Sequence, residues 1–357
     1  MSKLNVGLLF GGESREHEVS LQSASNVAKA LDVTKFNLIP IAISKDGKWL
    51  YADSIDKIII NQEHPQHIEL DVSRSKLAIF PGDKYQFMEI DKLKPIPKLD
   101  VIFSVLHGGS GENGSMNGLF NILRVPCVGS SLLSSAICMD KDLTKKLLRY
   151  NNVKVANYVS VTKETKDVFT YQELKETLGE ELFIKPNAEG SSIGVHKVTN
   201  EQEFTKAVAN ALLYDEKILI EERIIGKEIE CAVLGNQEPE ASTTGEITFD
   251  SNFYSYEAKY ISSSAAKISI PSSLSECLSS KVAKLSIDIF KILGCKGLAR
   301  IDFFITESKE IYVNEINALP GFTNISMYPK LWEFSGVKYK DLITKLIMLA
   351  LDREDAL

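Results

Sequence analysis

The chain has 357 residues, of which 44% are hydrophobic and 25% charged, and its formal net charge is −7. This composition is typical of a globular protein of about two or three domains. The negative charge excludes a surface that would collect nucleic acid. We expect neither a secretory signal nor a membrane span, and the five scattered cysteines, which lack CxxC spacing, favour reduced thiols in the cytoplasm.

Residues 1–138 are predicted to form an α/β domain on a parallel sheet. An apolar first strand runs into two glycines and a helix, an opening that is typical of such sheets. The dinucleotide fingerprint GxGxxG is absent after that strand. The polar, weakly periodic insertion at 46–98 is expected to contain hairpins or short strands. The main strands are predicted at 4–10, 37–43, 100–107 and 125–128.

A second unit is predicted at 139–223 and a third at 224–357. The second begins with a helix and has the short apolar strand LFIKP at its centre. The third contains a long helix, a hairpin and a terminal helix. Its polar, serine-rich stretch at 250–267 carries Lys259 and Tyr260. Such a stretch is either a mobile lid that orders on ligand binding or a plain surface loop.

The segment 297–323 is predicted to contain a hairpin with polar side chains at alternate positions. Arg300 and Asp302 lie two apart on the first strand, and Glu315 and Asn317 lie two apart on the second. Because side chains alternate along a strand, each pair projects from one face. Carboxylate and amide oxygens are the ligands that Mg²⁺ prefers, so a divalent ion bound to a nucleotide is implied. The nearly continuous apolar residues between them favour a covered hairpin over a solvated one.

Several lysines and glutamates are candidates for nucleotide binding. Lys185 precedes a loop of small residues whose N–H groups can approach phosphate closely. Lys141 opens a helix and could equally be a solvated surface lysine. A carboxylate near a strand end can accept hydrogen bonds from ribose, but these residues are equally compatible with a charged loop. The candidates of this last kind are Glu221, Glu222 and Glu228.

Two further candidates lie near strand ends in the first domain. His107 ends a strand at a glycine-rich loop, which is where ligands bind in open parallel sheets. Glu16 lies just before a helix, where an acidic residue also stabilises the helix N-terminus. The residue type and position of Glu16 do not distinguish a functional role from simple stabilisation of the helix.

In this order the motifs resemble those of ATP-grasp enzymes, and most closely those of D-alanine–D-alanine ligases. The resemblance covers essentially the whole chain. It implies an ATP-grasp fold of three domains with an N-terminal Rossmann-like domain. The matching motifs are GGxSxEHEVS at 11–20, HGxxGExG at 107–114, MDK at 139–141, KPxxEGSSIG at 185–194, EAKY at 257–260, RIDFF at 300–304 and ExNxLPGFT at 315–323.

The resemblance implies that ATP and two D-alanine molecules are the substrates, in the synthesis of a peptidoglycan precursor by a cytoplasmic homodimer. Two Mg²⁺ ions, with Mn²⁺ able to substitute, would be held by Asp302, Glu315 and Asn317. The implied ATP-binding residues are Lys141 and Lys185 on the phosphates, Lys259 on the γ-phosphate, Glu228 on the ribose, and Glu221 and Glu222 at the adenine.

The resemblance also implies a substrate site. Glu16 would hold the first D-alanine and form a triad with Ser191 and Tyr260 that ties down the lid. The remaining implied residues are His107 and Ser326 on substrate, and Arg300 and the N–H of Gly321 on the oxyanion.

Two positions depart from the family pattern. The usual EDG reads Glu112-Asn113-Gly114, and the usual asparagine-threonine pair reads Asn317-Ala318. Neither departure removes an implied ligand, but both affect loop packing. Two alternatives stay open: a ligase that joins D-alanine to D-lactate or D-serine, and a catalytically silent nucleotide-binding protein.

Overall fold

The computed structural model describes residues 3–62, 67–82, 84–249 and 266–353. Within these ranges the chain forms three main sheets flanked by helices, which confirms the predicted α/β class. No helix in the described part of the chain is both long enough and apolar enough to cross a membrane.

The N-terminal sheet is mixed. Strands β2, β1 and β9 of the list below run parallel, and β3, β6, β7 and β8 extend them as antiparallel neighbours. The predicted parallel sheet is thus only the central part of a larger one, because the predicted insertion adds its short strands to the same sheet. The elements are β1 (Leu4–Gly11), α1 (His17–Ala30), β2 (Phe36–Ile43), β3 (Trp49–Tyr51), β4 (Ile59–Ile60), β5 (Glu69–Leu70), β6 (Ser75–Ile79), β7 (Phe87–Glu89), β8 (Lys94–Pro95), β9 (Val101–Ser104), α2 (Ser115–Ile122) and α3 (Leu132–Met139).

The strand predicted at 125–128 is reduced to one parallel bridge between Cys127 and Ile102. The backbone N–H of Ile102 donates to Pro126 O, and that of Val128 donates to Ile102 O. A proline within so short a segment removes one donor, so pairing does not extend further.

The central sheet is antiparallel, in the order β10-β13-β11-β12. Its first helix, α4, is capped by Asp140, whose side chain accepts a hydrogen bond from Leu143 N. Thr170 and Glu173 form a capping box at α5. The elements are α4 (Lys141–Tyr150), β10 (Tyr158–Thr162), α5 (Tyr171–Leu178), β11 (Leu182–Pro186), β12 (His196–Val198), α6 (Glu201–Ala211) and β13 (Lys217–Glu222).

The C-terminal sheet is also antiparallel, in the order β16-β15-β14-β17-β18. Its apolar face packs against α7 and includes Ile229, Ile301 and Ile316. The alternate residues therefore lie on its other, polar face. The elements are β14 (Lys227–Gly235), β15 (Glu240–Phe249), β16 (Ala266–Ser269), α7 (Glu276–Ile292), β17 (Gly297–Ile305), β18 (Ile311–Asn317), α8 (Met327–Phe334) and α9 (Tyr339–Leu351).

One hydrophobic core joins the N-terminal sheet to the C-terminal helices. Phe322 lies at its centre, fully buried, with its ring 5.5 Å from that of Phe103, 6.0 Å from that of Tyr328 and 6.4 Å from that of Tyr339. The central sheet has a separate core with α5 and α6. The central unit thus has a core of its own, whereas the N-terminal and C-terminal units share one.

We predict that Phe322→Ala lowers the free energy of unfolding by about 3–5 kcal/mol, because it empties the centre of the shared core. Urea unfolding followed by tryptophan fluorescence measures this, since Trp332 lies in the same core. Phe334→Ala is the control, because this ring is 57% exposed and its loss should cost about 0.5 kcal/mol or less. Equal costs for the two variants would contradict the central position of Phe322.

Candidate functional site

A cavity of about 280 Å³ lies between the central and C-terminal sheets. Phe183 and Phe304 contribute aromatic rings to its wall, and lysines and carboxylates line the remainder. A cleft with apolar walls and a few converging charges suits a nucleotide, whose base is flat and whose phosphates are anionic. The charged and polar lining residues include Lys141, Lys145, Lys185, Glu221, Glu222, Glu228, Glu230, Asp302 and Glu315.

Glu221 on β13 lies between two buried lysines. Its Oε2 is 2.8 Å from Lys185 Nζ, and its Oε1 is 3.1 Å from Lys145 Nζ. Burial alone would raise the pKa of the Glu221 carboxyl, but the two ammonium groups outweigh it and lower that pKa. Burial lowers the pKa of Lys145 to about 8, against the opposing pull of Glu221. The structure thus holds a carboxylate and two cations at this wall of the cleft.

Lys141, the first residue of α4, also lines the cleft. Its Nζ donates to the carbonyl of Glu189, at 2.6 Å, in the loop that follows β11. Asn187 in the same loop accepts from Asp142 N at 2.9 Å, so the loop is attached to the helix N-terminus. Burial lowers the pKa of Lys141, and Glu315 opposes that shift. Because Lys141 is held against the loop and influenced by Glu315, the reading as a solvated surface lysine is wrong.

Glu222 has a different environment from Glu221. Its carboxylate accepts from Asn157 N at 2.7 Å, and its own N–H donates to Asn157 O at 3.0 Å. The side chain therefore holds the segment before β10. Glu228 lines the cleft from β14, directly opposite Phe304 on β17.

The polar face of the C-terminal sheet brings the predicted hairpin residues together. In the β17–β18 pair Arg300 lies opposite Asn317, and Asp302 lies opposite Glu315. Arg300 binds Asp302 through two hydrogen bonds, Nε to Oδ1 at 2.8 Å and Nη2 to Oδ2 at 2.7 Å. Asn317 Nδ2 donates to Asp302 Oδ2 at 2.9 Å. Burial would lower the pKa of Arg300, but Asp302 and then Glu230 outweigh it and raise that pKa well above its ordinary value.

The donor set on this face fits a hard divalent cation that also binds phosphate oxygens. Asp302 and Glu315 supply carboxylates and Asn317 an amide oxygen, all on neighbouring strands. Among the described residues no group of three or more histidine, cysteine, aspartate or glutamate side chains is arranged to hold a metal alone.

A hydrogen bond links the loop after β11 to the N-terminal unit. Ser191 Oγ donates to Glu16 Oε1 at 2.6 Å. Ser191 and Ser192 both have left-handed backbone conformations, with φ of 52° and 59°. Such conformations cost energy in residues other than glycine and persist where the surroundings hold them. Gly108 beside this carboxylate has φ of 70° and ψ of 165°, a conformation that essentially only glycine adopts, and a Cβ there would lie 2.9 Å from Glu16 Oε2.

His107 and Gly321 lie on two sides of Ser23. Ser23 Oγ is 3.0 Å from His107 Nε2 and accepts from Phe322 N at 3.4 Å. A Cβ at Gly321 would lie 2.8 Å from Ser326 Oγ. Thr323 N donates to that same oxygen at 2.9 Å, so Ser326 is held against the backbone of this loop. The N-terminal unit and the C-terminal loop thus meet at these predicted substrate-binding residues.

A small cavity of about 40 Å³ adjoins the cleft between the central and C-terminal sheets and is lined in part by the N-terminal unit. Glu112 lines it from the N-terminal side, Lys141 and Gly190 from the central unit, and Glu315 and Asn317 from the C-terminal sheet. The structure therefore brings the predicted metal ligands and phosphate-binding lysines together. Tyr260 and Lys259, with most of the predicted lid at 250–267, lie outside the described residues.

Three residues of this region were not predicted from the sequence. Lys145 follows Lys141 by one helical turn, and that spacing could have indicated it. Glu230 follows Glu228 by two positions in a strand, which places both on one face. Ser23 carries no sequence signal, because its role depends on contacts with residues 84 and 299 positions away.

Comparison with known proteins agrees with this geometry. A family model described as "D-ala D-ala ligase N-terminus" matches residues 5–130, and one described as "D-ala D-ala ligase C-terminus" matches residues 147–348. The chain belongs to the D-alanine–D-alanine ligase family. It is 46% identical over 357 residues to D-alanine–D-alanine ligase A of Escherichia coli K12, covering 100% of this chain and 98% of that protein. It is 48% identical over 352 residues to the D-alanine–D-alanine ligase of Oceanobacillus iheyensis, and the match covers 98% of this chain and 96% of that protein.

Solved structures of this family have the same fold. The D-alanine–D-alanine ligase of Coxiella burnetii gives a TM-score of 0.84 at 38% identity, covering 98% of this chain and 96% of that one. The VanG D-Ala:D-Ser ligase of Enterococcus faecalis gives a TM-score of 0.87 at 35% identity, and the match covers 98% of this chain and 100% of that one. The Bacillus anthracis D-alanine–D-alanine ligase complexed with ATP gives 0.74 at 27% identity, covering 98% of each. These neighbours confirm the ATP-grasp fold that the sequence resemblance implied.

We predict a specific pH dependence for Lys145. Its pKa of about 8 lies below its ordinary value of 10.5, so between these pH values the unfolded chain holds more protons at this site. The contribution of Lys145 to the free energy of unfolding should therefore rise with pH, by up to about 1.4 kcal/mol per pH unit. Urea unfolding of the wild type and Lys145→Met at pH 7.5–10 should show the wild type gaining relative to the variant.

Lys146→Met is the matched control, because the adjacent Lys146 side chain is 64% exposed. Its difference from the wild type should vary much less over the same range. A wild-type advantage over Lys145→Met that stays constant with pH would contradict the lowered pKa.

Proposed function

We propose that this chain joins two D-alanine molecules to D-alanyl-D-alanine with cleavage of ATP, as a step in supplying peptidoglycan precursors. The observation that carries the proposal is the meeting of three features at one place. Buried lysines line the cleft, the carboxylates of β17 and β18 face them, and the Glu16–Ser191 hydrogen bond adjoins the small cavity. The names of the relatives agree with this reading.

The reaction that suits these groups has two steps. An oxygen of the first D-alanine carboxylate attacks the γ-phosphorus of ATP, the bond to the β-phosphate oxygen breaks, and ADP leaves. The neutral amine of the second D-alanine then attacks the acyl carbon. Phosphate leaves with the acyl C–O bonding pair, and the amine loses a proton. Phosphoryl transfer depends mainly on positioning and charge neutralisation, which lysine, arginine and carboxylate-bound cations can supply.

The nucleotide would occupy the cleft between the two sheets. We assign Lys141 and Lys185 to its phosphates, Glu228 to the ribose, and the strand end at Glu221 and Glu222 to the adenine. Lys185 is held by Glu221 at 2.8 Å, so its ammonium is already oriented before a phosphate replaces or shares that contact. Lys259 is assigned to the γ-phosphate by the motif alone.

Two Mg²⁺ ions, with Mn²⁺ as a substitute, would be held by Asp302, Glu315 and Asn317. A bound divalent ion neutralises phosphate charge and makes the γ-phosphorus more electrophilic. In the described structure Asp302 is held by Arg300 and Asn317, which orients its carboxylate.

The amino-acid substrates would lie at the junction of the N-terminal and C-terminal units. We assign Glu16 and His107 to the first substrate and Ser326 to the carboxylate of the second. Arg300 and Gly321 N–H would stabilise the developing oxyanion. The Ser191–Glu16 bond at 2.6 Å closes the loop after β11 over this junction. Closure has a chemical purpose because an acyl phosphate hydrolyses in water. Tyr260 would complete this closure from the lid at 250–267.

We also propose three domains at 1–138, 139–223 and 224–357, a cytoplasmic location where ATP is available, and a homodimer. Two exposed apolar side chains on adjoining helices support the homodimer. A Cβ at Gly118 of α2 would lie 2.9 Å from Leu132 Cδ1, so α2 and the start of α3 adjoin. Ile122 is 62% exposed and Leu133 66% exposed on these helices. Contiguous exposed apolar side chains often mark protein interfaces.

A D-alanine–D-serine or D-alanine–D-lactate ligase is the second candidate. The VanG D-Ala:D-Ser ligase supports the first of these two, since it has the same fold over 98% of this chain. Both reactions would use the same cleft and lysines and differ only in the second substrate.

The deciding experiment measures phosphate release from ATP by the purified chain. We expect release to require D-alanine, and chromatography to identify D-alanyl-D-alanine as the product. D-Serine and D-lactate are added in parallel as second substrates, and either mixed product in excess would replace the proposed function with the second candidate. Nucleotide binding without phosphate release would indicate the silent protein.

We predict that Asp302→Asn and Glu315→Gln each lower turnover at millimolar Mg²⁺ by at least about a hundredfold. An amide keeps the shape of the carboxylate but loses the charge that attracts a hard cation. Glu310→Gln is the matched control, because the Glu310 side chain is half-exposed in the turn of the same hairpin, where it pairs with Lys154. Turnover measured against Mg²⁺ concentration tests this. Normal rates and normal Mg²⁺ dependence in both variants would exclude the hairpin as the metal site.

A further inference from the structure

The polar face of the C-terminal sheet carries one carboxylate beyond those of the predicted hairpin. Glu230 on β14 lies directly opposite Asp302 on β17, which lies opposite Glu315 on β18. Residues directly opposite in an antiparallel pair project from the same face. Glu230, Asp302 and Glu315 therefore form a row of acids across three adjacent strands, here called the acidic row.

Arg300 is shared between two members of the acidic row. Its Nε is 2.8 Å from Asp302 Oδ1 and 2.9 Å from Glu230 Oε2. Nε carries a single hydrogen, which it donates to Asp302, so its contact with Glu230 Oε2 is an ion pair without a hydrogen bond. Nη2 donates to Asp302 Oδ2 only, at 2.7 Å. Within the described contacts, Glu230 is thus an alternative partner for the same edge of the guanidinium.

This arrangement matters because Asp302 is assigned two tasks that draw on the same two carboxylate oxygens. As a metal ligand it must present its oxygens to a cation, and as the partner of Arg300 it accepts two hydrogen bonds from the guanidinium. If Asp302 turns to a cation, its two hydrogen bonds from Arg300 are weakened or lost at the moment when the orientation of Arg300 matters. The Glu230 contact does not depend on Asp302 and would remain.

We propose that Glu230 is a positioning residue that holds Arg300 by its Nε edge when Asp302 turns to bind a cation. The proposal rests on the proposed function, because that function gives Arg300 and Asp302 their tasks. Burial supports it: the Glu230 residue is 7% exposed, so water and salt screen its attraction to Arg300 only weakly. It also explains why an acid lies on β14 where an apolar residue would avoid the cost of burying charge.

Two other roles for Glu230 make different predictions. If Glu230 were itself a metal ligand, its loss would raise the Mg²⁺ concentration needed for half-maximal activity. If it only stabilised the sheet, its loss would lower the unfolding temperature and change kcat by the same factor whether or not Arg300 is present. If Glu230 positions Arg300, the effect of losing Glu230 on kcat should depend on whether Arg300 is present.

The test combines Glu230→Gln with Arg300→Ala in a double-mutant cycle. We expect Glu230→Gln alone to lower kcat about tenfold, since it weakens a charge-assisted bond, while calorimetry shows Mg-ATP affinity within about threefold of the wild type. In the Arg300→Ala background, Glu230→Gln should change kcat by less than about twofold. Glu246→Gln is the matched control: Glu246 is 6% exposed on β15, opposite Ile229 and hence on the other face of this sheet.

Several results would overturn the proposal. A tenfold loss in both backgrounds would show that Glu230 acts independently of Arg300. A tenfold rise in the Mg²⁺ requirement would make it a metal ligand, and an unchanged kcat would leave it no role. If Glu230→Gln fails to fold, Glu230→Asp is used in the same cycle, where the retained charge should give a smaller loss that again vanishes without Arg300.

The same experiment separates this inference from the proposed function. If the wild-type chain releases no phosphate with D-alanine, the proposed function fails and the inference fails with it. If the wild type is active and the cycle is additive, only the assignment of Glu230 fails.

Discussion

The structure depends on balancing buried charge along the polar face of the C-terminal sheet. Asp302 and Glu230 are both buried there, and an ionised carboxylate in such a place is strongly disfavoured unless a cation pairs with it. Arg300 provides that cation from β17 itself, bound to both acids. The pairing orients both acids before any ligand arrives. This polar face can therefore persist between apolar cores in the free protein.

The same logic applies across the cleft, where the charges have the opposite sign. Glu221 separates Lys145 from Lys185, so two like charges are held near each other by one shared carboxylate. Because the central sheet has its own core, polar contacts such as Ser191–Glu16 rather than continuous apolar packing join this wall to the N-terminal unit. The two walls of the cleft are thus complementary in charge and separately packed, which suits a site that binds and releases an anionic nucleotide.

The sequence predicted elements wherever local signals were strong. The alternation in RIDFF and the apolar run LFIKP predicted β17 and β11, and the amphipathic C-terminal segment predicted α9 at Tyr339–Leu351. Helix α5, β10 and α8 were not predicted, because their hydrophobic patterns are short and only tertiary packing distinguishes them from loops. Site residues that lie within one short motif, such as Arg300 and Asp302, were predicted because their spacing in the sequence is itself a local signal. Ser23 and Glu230 were not predicted, because their positions at the site depend on contacts between distant units and on cross-strand register.

The two departures from the family motifs are explained by what each side chain contacts. Asn113 Oδ1 accepts from Ser115 N at 3.0 Å, at the start of α2. An asparagine supplies the same acceptor oxygen as the aspartate it replaces, without its charge. Ala318 is 9% exposed and packs in the core beneath the C-terminal sheet. A methyl group there needs no hydrogen-bond partner, whereas a buried hydroxyl would. Both departures therefore preserve the local packing around Asn317 and the glycine-rich loop, which is why the predicted ligand positions converge despite them.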